Sequence, residues 1–425
     1  MSEWKKILFS DCVEINPTIK LKAGESFSFV EMRDLSPNEK FVIPSAKRKL
    51  SGGARFENGD TLFARITPCL ENGKICQVRN LENNVGFGST EFLIFRGKKN
   101  VSSTEFVYYL SRWNEVRSFA VKNMIGTSGR QRVGKDAFSN FEISLPDLKT
   151  QQRIASILSS LDDAIELNLQ TNKTLEEIAQ TLFKEMCLPK DCELHKGWSV
   201  GKVEDVCEVN RNTFNKKTDL LEWIDYIEIS EVSSGRIGTV ARYNVGEEPS
   251  RAKRKLTHGD TVLSTVRPDR GSYFLALNPL ETEIVSTGFA VFTPTKVPYS
   301  FLYLFLTDEK KLTYYGHVSN GGAYPAINPK TIMEIDLVIP DENTLNKFHS
   351  VIEPMLEMIH QNEQENKTLS SLRDLLLPKL MKGEIEISEK LTPSNSMDLT
   401  MANLPQLKGS NSTPLKKKML SKQKR

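Results

Sequence analysis

The feature that most constrains this chain is that its words recur in order. Trp4 with Asp11-x-x-Glu14-Ile15-Asn16 returns as Trp198 with Asp205-x-x-Glu208-Val209-Asn210, 194 residues on. Phe29-Val30-Glu31-Met32 returns as Tyr226-Ile227-Glu228-Ile229. Ala46-Lys47-Arg48-Lys49-Leu50 returns unchanged as Ala252-Lys253-Arg254-Lys255-Leu256. Each copy then reaches Gly-Asp-Thr (Gly59-Asp60-Thr61, Gly259-Asp260-Thr261) and a proline (Pro68, Pro268). Ser89-Thr90 answers Ser286-Thr287. Phe141-Glu142-Ile143-Ser144-Leu145-Pro146 answers Ile335-Asp336-Leu337-Val338-Ile339-Pro340, and Asn172-Lys173-Thr174-Leu175 is identical to Asn366-Lys367-Thr368-Leu369. The spacing drifts only between 194 and 206. One module, duplicated in tandem, accounts for all of it.

Each copy changes its hydrophobic period partway. Its first part has short alternating or apolar runs (Thr61–Ile66, Phe92–Phe95, Thr261–Val266, Ala290–Thr293) punctuated by Gly, Pro, Asn and Asp, which predicts a strand-rich unit with a few helices such as Thr104–Lys122. From Thr150, apolar residues step by three and four through Ile154, Leu158, Leu161, Ile165 and Leu175, so one long amphipathic helix is expected to about Met186, closed by Leu188-Pro189. The second copy repeats this through Ile352, Ile359 and Leu369, closed by Leu377-Pro378, with a kink or break expected at Pro354. Asn172 and Asn366 fall at seam-like positions, where a polar residue can set register. A helix of about 36 residues is about 54 Å long, enough to hold two units apart. The expected architecture is α+β: two strand-rich globular units (1–147 and 191–341), each followed by a long helix (148–190 and 342–388), then a disordered basic tail (389–425).

Charge narrows the function. The 425 residues carry 57 Lys+Arg against 54 Asp+Glu, but seven of the basic residues lie between Lys408 and Arg425 with no acidic ones. The remainder holds 50 basic and 54 acidic residues, so a nucleic-acid surface on the body must be a local patch. No run of about 18 uncharged apolar residues is present, and the start lacks a signal-peptide pattern, so a cytoplasmic protein is expected. The six cysteines form no C-x-x-C pair and the five His do not cluster with them, which favours structural thiols over a metal site. Gly129-Arg130-Gln131-Arg132-Val133-Gly134-Lys135 begins like a phosphate loop, but Asp136 replaces the Ser or Thr that Mg²⁺ requires. Pro340-Asp341 with Glu365-Asn366-Lys367 only loosely resembles a nuclease pattern. No catalytic constellation and no metal site is expected.

Basic clusters beside the Gly-Asp turns are the chemistry on offer. Lys47, Arg48, Lys49 and Arg55 precede the first turn and Arg65 follows it. Arg251, Lys253, Arg254 and Lys255 precede the second, and Arg267 and Arg270 follow. Arg130, Arg132 and Lys135 form another patch, whose counterpart Gly321-Gly322-Ala323-Tyr324 offers an aromatic instead. Arginine can read guanine with a bidentate fork, and lysine more often anchors phosphate. For any one cluster a solvated strand edge is the favoured reading; recurrence in both copies raises DNA binding above it.

The ordered words, with Gly126-Thr127-Ser128-Gly129, Asn320-Gly321-Gly322 and the helix opening Gln151-Gln152-Arg153-Ile154, resemble the specificity subunits of type I restriction–modification enzymes over about residues 1–388. The second helix departs, opening with Asn343-Thr344-Leu345-Asn346. The resemblance implies a non-catalytic subunit in which each globular unit is a target recognition domain for half of a bipartite, asymmetric DNA site. It implies an antiparallel coiled coil with an internal pseudo-two-fold repeat. It also implies double-stranded DNA, two modification subunits and possibly two restriction subunits as partners, with S-adenosylmethionine, ATP and Mg²⁺ held by those partners, none by this chain. The competing readings are a coiled-coil scaffold with two protein- or sugar-binding domains and an enzyme with an unrecognised site.

Overall fold

The computed structural model describes residues 4–127, 129–189, 194–322 and 324–385; the basic tail and Cys192 fall outside them. In the first unit, one sheet runs in the order Val13–Ile15, Phe92–Gly97, Thr61–Ala64, Ile75–Val78, Phe41–Val42. A second runs Ala46–Lys49, Ser26–Val30, Val85–Gly88, Ala54–Glu57. The second unit repeats the first sheet, without a counterpart of Phe41–Val42 among the described residues, as Cys207–Val209, Phe289–Pro294, Asp260–Ser264, Tyr273–Ala276. It repeats the second as Ala241–Asn244, Trp223–Ile227, Glu283–Ser286, Ala252–Lys255. A further antiparallel pair, Lys5–Leu8 with Glu142–Leu145, is matched by Ser199–Lys202 with Asp336–Ile339.

The repeated words are the fastenings of this fold. Gly59 and Gly259 sit at φ +91° and +86°, a region open to glycine without steric cost. The next carboxylate folds back on the turn: Asp60 accepts from the Glu57 amide and Asp260 from the Thr257 amide, both at 2.7 Å. Asn16 and Asn210 share φ 54°. Each uses its side-chain oxygen and its own amide to clamp one residue of the neighbouring strand, Ile94 or Val291. Asp147 and Asp341 cap the two long helices through Thr150 and Thr344. The Thr150 amide holds the Asp147 carboxyl below its ordinary range, so this stabilisation is present above the ordinary carboxylate pKa and lost as pH falls through the depressed value. Asp147→Ala is expected to cost about 1 kcal/mol, read by urea denaturation at neutral pH.

The two long helices, Leu148–Cys187 and Glu342–Met381, have 40 residues each, about 60 Å. They run antiparallel: Asp162 meets Arg373, Asn168 meets Asn366, and Asn172 meets Asn362. The last two contacts exchange under the 194-residue offset, so a pseudo-two-fold axis passes between them. The largest apolar clusters of the seam lie toward its ends, where it merges with the domain cores. Ile154, Ala155 and Leu158 pack with Leu377, Leu380 and Met381 inside the first unit's core, and Ala179, Phe183 and Cys187 with Phe348, Ile352 and Leu356 inside the second's. Ile165, Asn172 and Asn366 are also buried, whereas Leu161, Leu175, Ile359 and Leu369 are half-buried.

Three local expectations are corrected. The second helix runs unbroken through Pro354 and through Pro378. Pro354 lies on the exposed side, where solvent can satisfy the freed carbonyl, and the burial of Phe348, Ile352 and Leu356 holds the helix across it. The Leu377-Pro378 word is interior to its helix and not equivalent to Leu188-Pro189, which does end the first. Thr104–Lys122 is two helices, Thr104–Arg112 and Asn114–Lys122, parted where Trp113 turns to ψ 135°.

Candidate nucleic-acid interface

The end of each central strand, just past Gly-Asp-Thr, makes matching hydrogen bonds in the two units. Arg65 and Thr265 donate their amides to Glu91 and Gly288, and Thr67 and Arg267 donate theirs to Gln131 and Pro325. Val133 and Ile327 donate to the carbonyls of Arg65 and Thr265. These bonds establish side-chain equivalences that spacing left ambiguous. Arg65 corresponds to Thr265, Thr67 to Arg267, Arg130 to Tyr324, and Arg132 to Ala326. The hydrogen-bond frame is common, although Arg267 takes the left-handed region at φ 47° and Thr67 does not, and the side chains differ.

In the first unit Arg65 shares a cleft with Arg55, Asn16, Thr18 and Thr90. Arg55 donates to the Ile19 carbonyl at 3.1 Å, and the buried Nε of Arg65 meets no hydrogen-bond acceptor. Arg132 is held by the Glu91 carboxylate at 2.7 Å, which raises its pKa and orients it beside the loop bearing exposed Arg130. Lys135 is exposed at the start of a short 3₁₀ turn. In the second unit the Arg267 guanidinium lies 4.7 Å from the ring centre of Tyr324, a cation–π arrangement. Tyr324 is 72% exposed, and Arg270 is exposed one turn further on.

The basic pentapeptides are corrected more sharply. Ala46–Lys49 pairs with Ser26–Val30 at one edge of its sheet, whereas Ala252–Lys255 pairs with Glu283–Ser286 at the opposite edge. Identical words therefore occupy non-equivalent strands. The equivalent of Ala252–Lys255 is Ala54–Glu57: with Phe87 matched to Ile284 and Gly88 to Val285, the pairing sets Arg55 against Lys255 and Ala54 against Arg254. The equivalent of Ala46–Lys49 is Ala241–Asn244, which matches Lys47 with Arg242. Arg242 was missed from the sequence; it grips Asp225 at 2.8 and 3.1 Å and holds that carboxyl below its ordinary range. The missed signal was the offset of 206, out of step with 197 and 200 on either side. Lys47 and Arg48 pair with Glu82 and Glu31, and Lys255 with Asp219 at 2.7 Å. Lys49 and Arg251 are exposed, and Arg254 keeps a buried Nε without an acceptor.

The loose carboxylate pattern resolves into structure. Asp341 caps a helix and accepts from Trp198 Nε1 at 3.1 Å, and Glu365 accepts from Asn168. Among the described residues no group of three or more His, Cys, Asp or Glu is placed to hold a metal, and no helix is long and apolar enough to cross a membrane.

Two copies of one domain, offered at opposite ends of a shared rod with unlike side chains on matched hydrogen-bond frames, define a two-headed recognition protein. The family described as "Type I restriction modification DNA specificity domain" matches residues 1–177 and 195–370. The chain is 26% identical to the type I restriction enzyme HindI specificity subunit of Haemophilus influenzae, over 91% of this chain and all of that one. It is 25% identical to the MjaIX specificity subunit of Methanocaldococcus jannaschii, over 88% and 90%. Its fold matches that of the type I restriction-modification S subunit from M. genitalium at a TM-score of 0.50, with 16% identity and coverage of 91% and 97%. The chain belongs to the type I restriction–modification DNA-specificity family and is a DNA-recognition subunit, not an enzyme.

Proposed function

We propose that each globular unit reads one half of a split duplex target, and that the antiparallel rod sets the gap between the halves. The observation that carries this is the set of unlike side chains at equivalent positions: Arg65 against Thr265, Thr67 against Arg267, Arg130 against Tyr324. Two heads with one hydrogen-bond frame and different reading groups fit an asymmetric bipartite site. Arg55, Arg65, Arg130, Arg132, Lys135, Arg251, Lys253, Arg254, Arg267, Arg270 and Tyr324 face the DNA; Lys47, Arg48, Lys49 and Lys255 contribute at the flanks.

A body with more acid than base gathers phosphate poorly by itself, so partner subunits supply much of the affinity. Two modification subunits dock on the rod and bring S-adenosylmethionine; restriction subunits, where present, bring ATP and Mg²⁺. A map of methylated bases across the genome, with and without this protein, tests the reading. One bipartite motif that disappears with the protein is expected, and an unchanged map would sink it.

Arg65→Ala should relax the first half-site only and Arg267→Ala the second only, each costing about 1–3 kcal/mol where the arginine reads a base. Binding of the assembled complex to base-substituted duplexes checks this. Equal weakening on every duplex would instead make that arginine a phosphate contact.

A further inference from the structure

Four parts of the duplicated chain meet at one guanidinium. Arg236 stands on the short hairpin Val232–Ser233/Arg236–Ile237 of the second unit. Its Nη1 lies 3.4 Å from Glu39 Oε1 of the first unit, and its Nε lies 3.6 Å from Glu363 Oε1 on the second long helix. The same Glu363 oxygen accepts from Asn172 Nδ2 on the first long helix at 3.1 Å. Glu39 and Arg236 are 197 residues apart, the offset that relates Phe29 to Tyr226 and Ser89 to Ser286. The contact also lies beside the pseudo-two-fold axis. The rod places that axis between its two Asn–Asn contacts, beside Glu363 and Asn172.

Both ends of this contact are anchored. Lys40, next to Glu39, is buried and bonded to Glu105 and to Ser159, and the Cys76 thiol donates to the Glu39 carbonyl. The hairpin is tied down through the amides of Ser234 and Gly235, which donate to Gly271 and Tyr273. The rod, by contrast, has its polar asparagines here and its apolar packing at the two ends. Polar seam residues fix register at a cost in stability, and a small bend at the middle swings both heads.

We infer that Arg236 is a positioning residue for specificity: by clasping Glu39 and Glu363 across the pseudo-two-fold axis, it sets the separation and phase of the two half-sites. This rests on the bipartite reading proposed above. Partly exposed ion pairs are individually weak, so the clasp acts on discrimination between gaps and leaves the reading of each half intact.

The test uses the complex assembled with its modification subunits. Duplexes carry both half-sites, as given by the methylation map, at the native gap and at one base pair more or less. With Arg236→Gln or Glu39→Gln, the preference for the native gap is expected to fall about fivefold, while base substitutions within either half-site cost as much as before. A wild type that discriminates gaps, with variants that discriminate as well as it does, would overturn the clasp and leave the bipartite reading standing. Equal loss of binding at all gaps, with a lowered melting temperature, would reduce Arg236 to a structural contact and also overturn it. A wild type indifferent to the gap would overturn the bipartite reading and the clasp together.

Discussion

Arg373→Ala is expected to destabilise the protein by about 3–5 kcal/mol, measured by urea or thermal unfolding, because it strands a buried charge. Arg373 Nη1 lies 2.8 Å from Asp162 Oδ1, and the two side chains are only 4% and 2% exposed. The Tyr109 hydroxyl donates to the other Asp162 oxygen at 2.7 Å. The duplication supplies its own control. Under the 194-residue offset, Asp162 corresponds to Leu356 and Arg373 to Ala179, and both of those are buried in the second unit's core. Asp162→Leu with Arg373→Ala and Tyr109→Phe removes both charges and the hydroxyl together. Such replacements of buried pairs are often neutral or stabilising, so most of the single-variant loss should be recovered. A triple variant as unstable as Arg373→Ala would show that packing, not the unpaired charge, sets the cost. The physical consequence of this asymmetry is that the two ends of the rod are chemically different, although the backbone treats them alike.

Lengthening both long helices by seven residues at the pseudo-axis, after Gln170 and after Gln364, should abolish recognition of the original site. Seven residues add about 10 Å while keeping the seam close to register. At 3.4 Å per base pair, the accepted gap should grow by about three base pairs, with both half-sites unchanged in the methylation map. The insertion also parts Arg236 from Glu39, so the new gap should be less sharply defined than the old. Altered half-sites with an unaltered gap would end the idea of the rod as a ruler.

How far the fold was legible can be judged from particular residues. The Gly-Asp-Thr turns, the Asn16 and Asn210 clamps and the Asp147 and Asp341 caps are local devices, each closed within a few residues or by a single strand contact. The turns and clamps leave words in the sequence, and those words revealed the duplication. The apolar stripes of the long helices were equally plain, since a 3.6-residue period reports a buried face. Pro354 and Pro378 misled because a local rule about helix interiors was overridden by burial on the opposite side of the same helix.

The chain's words by themselves determined the tandem module, the alternation of strand-rich unit and long helix, the basic residues near each strand end, and the family resemblance. Only the tertiary structure decided which of those residues correspond. It matched Lys255 with Arg55, separated the two identical pentapeptides onto opposite sheet edges, and brought Glu39 to Arg236 between the two units. The reason is physical. Periodicity and turn chemistry are properties of neighbours along the chain, whereas equivalence across a two-fold axis is set by which distant strands share hydrogen bonds.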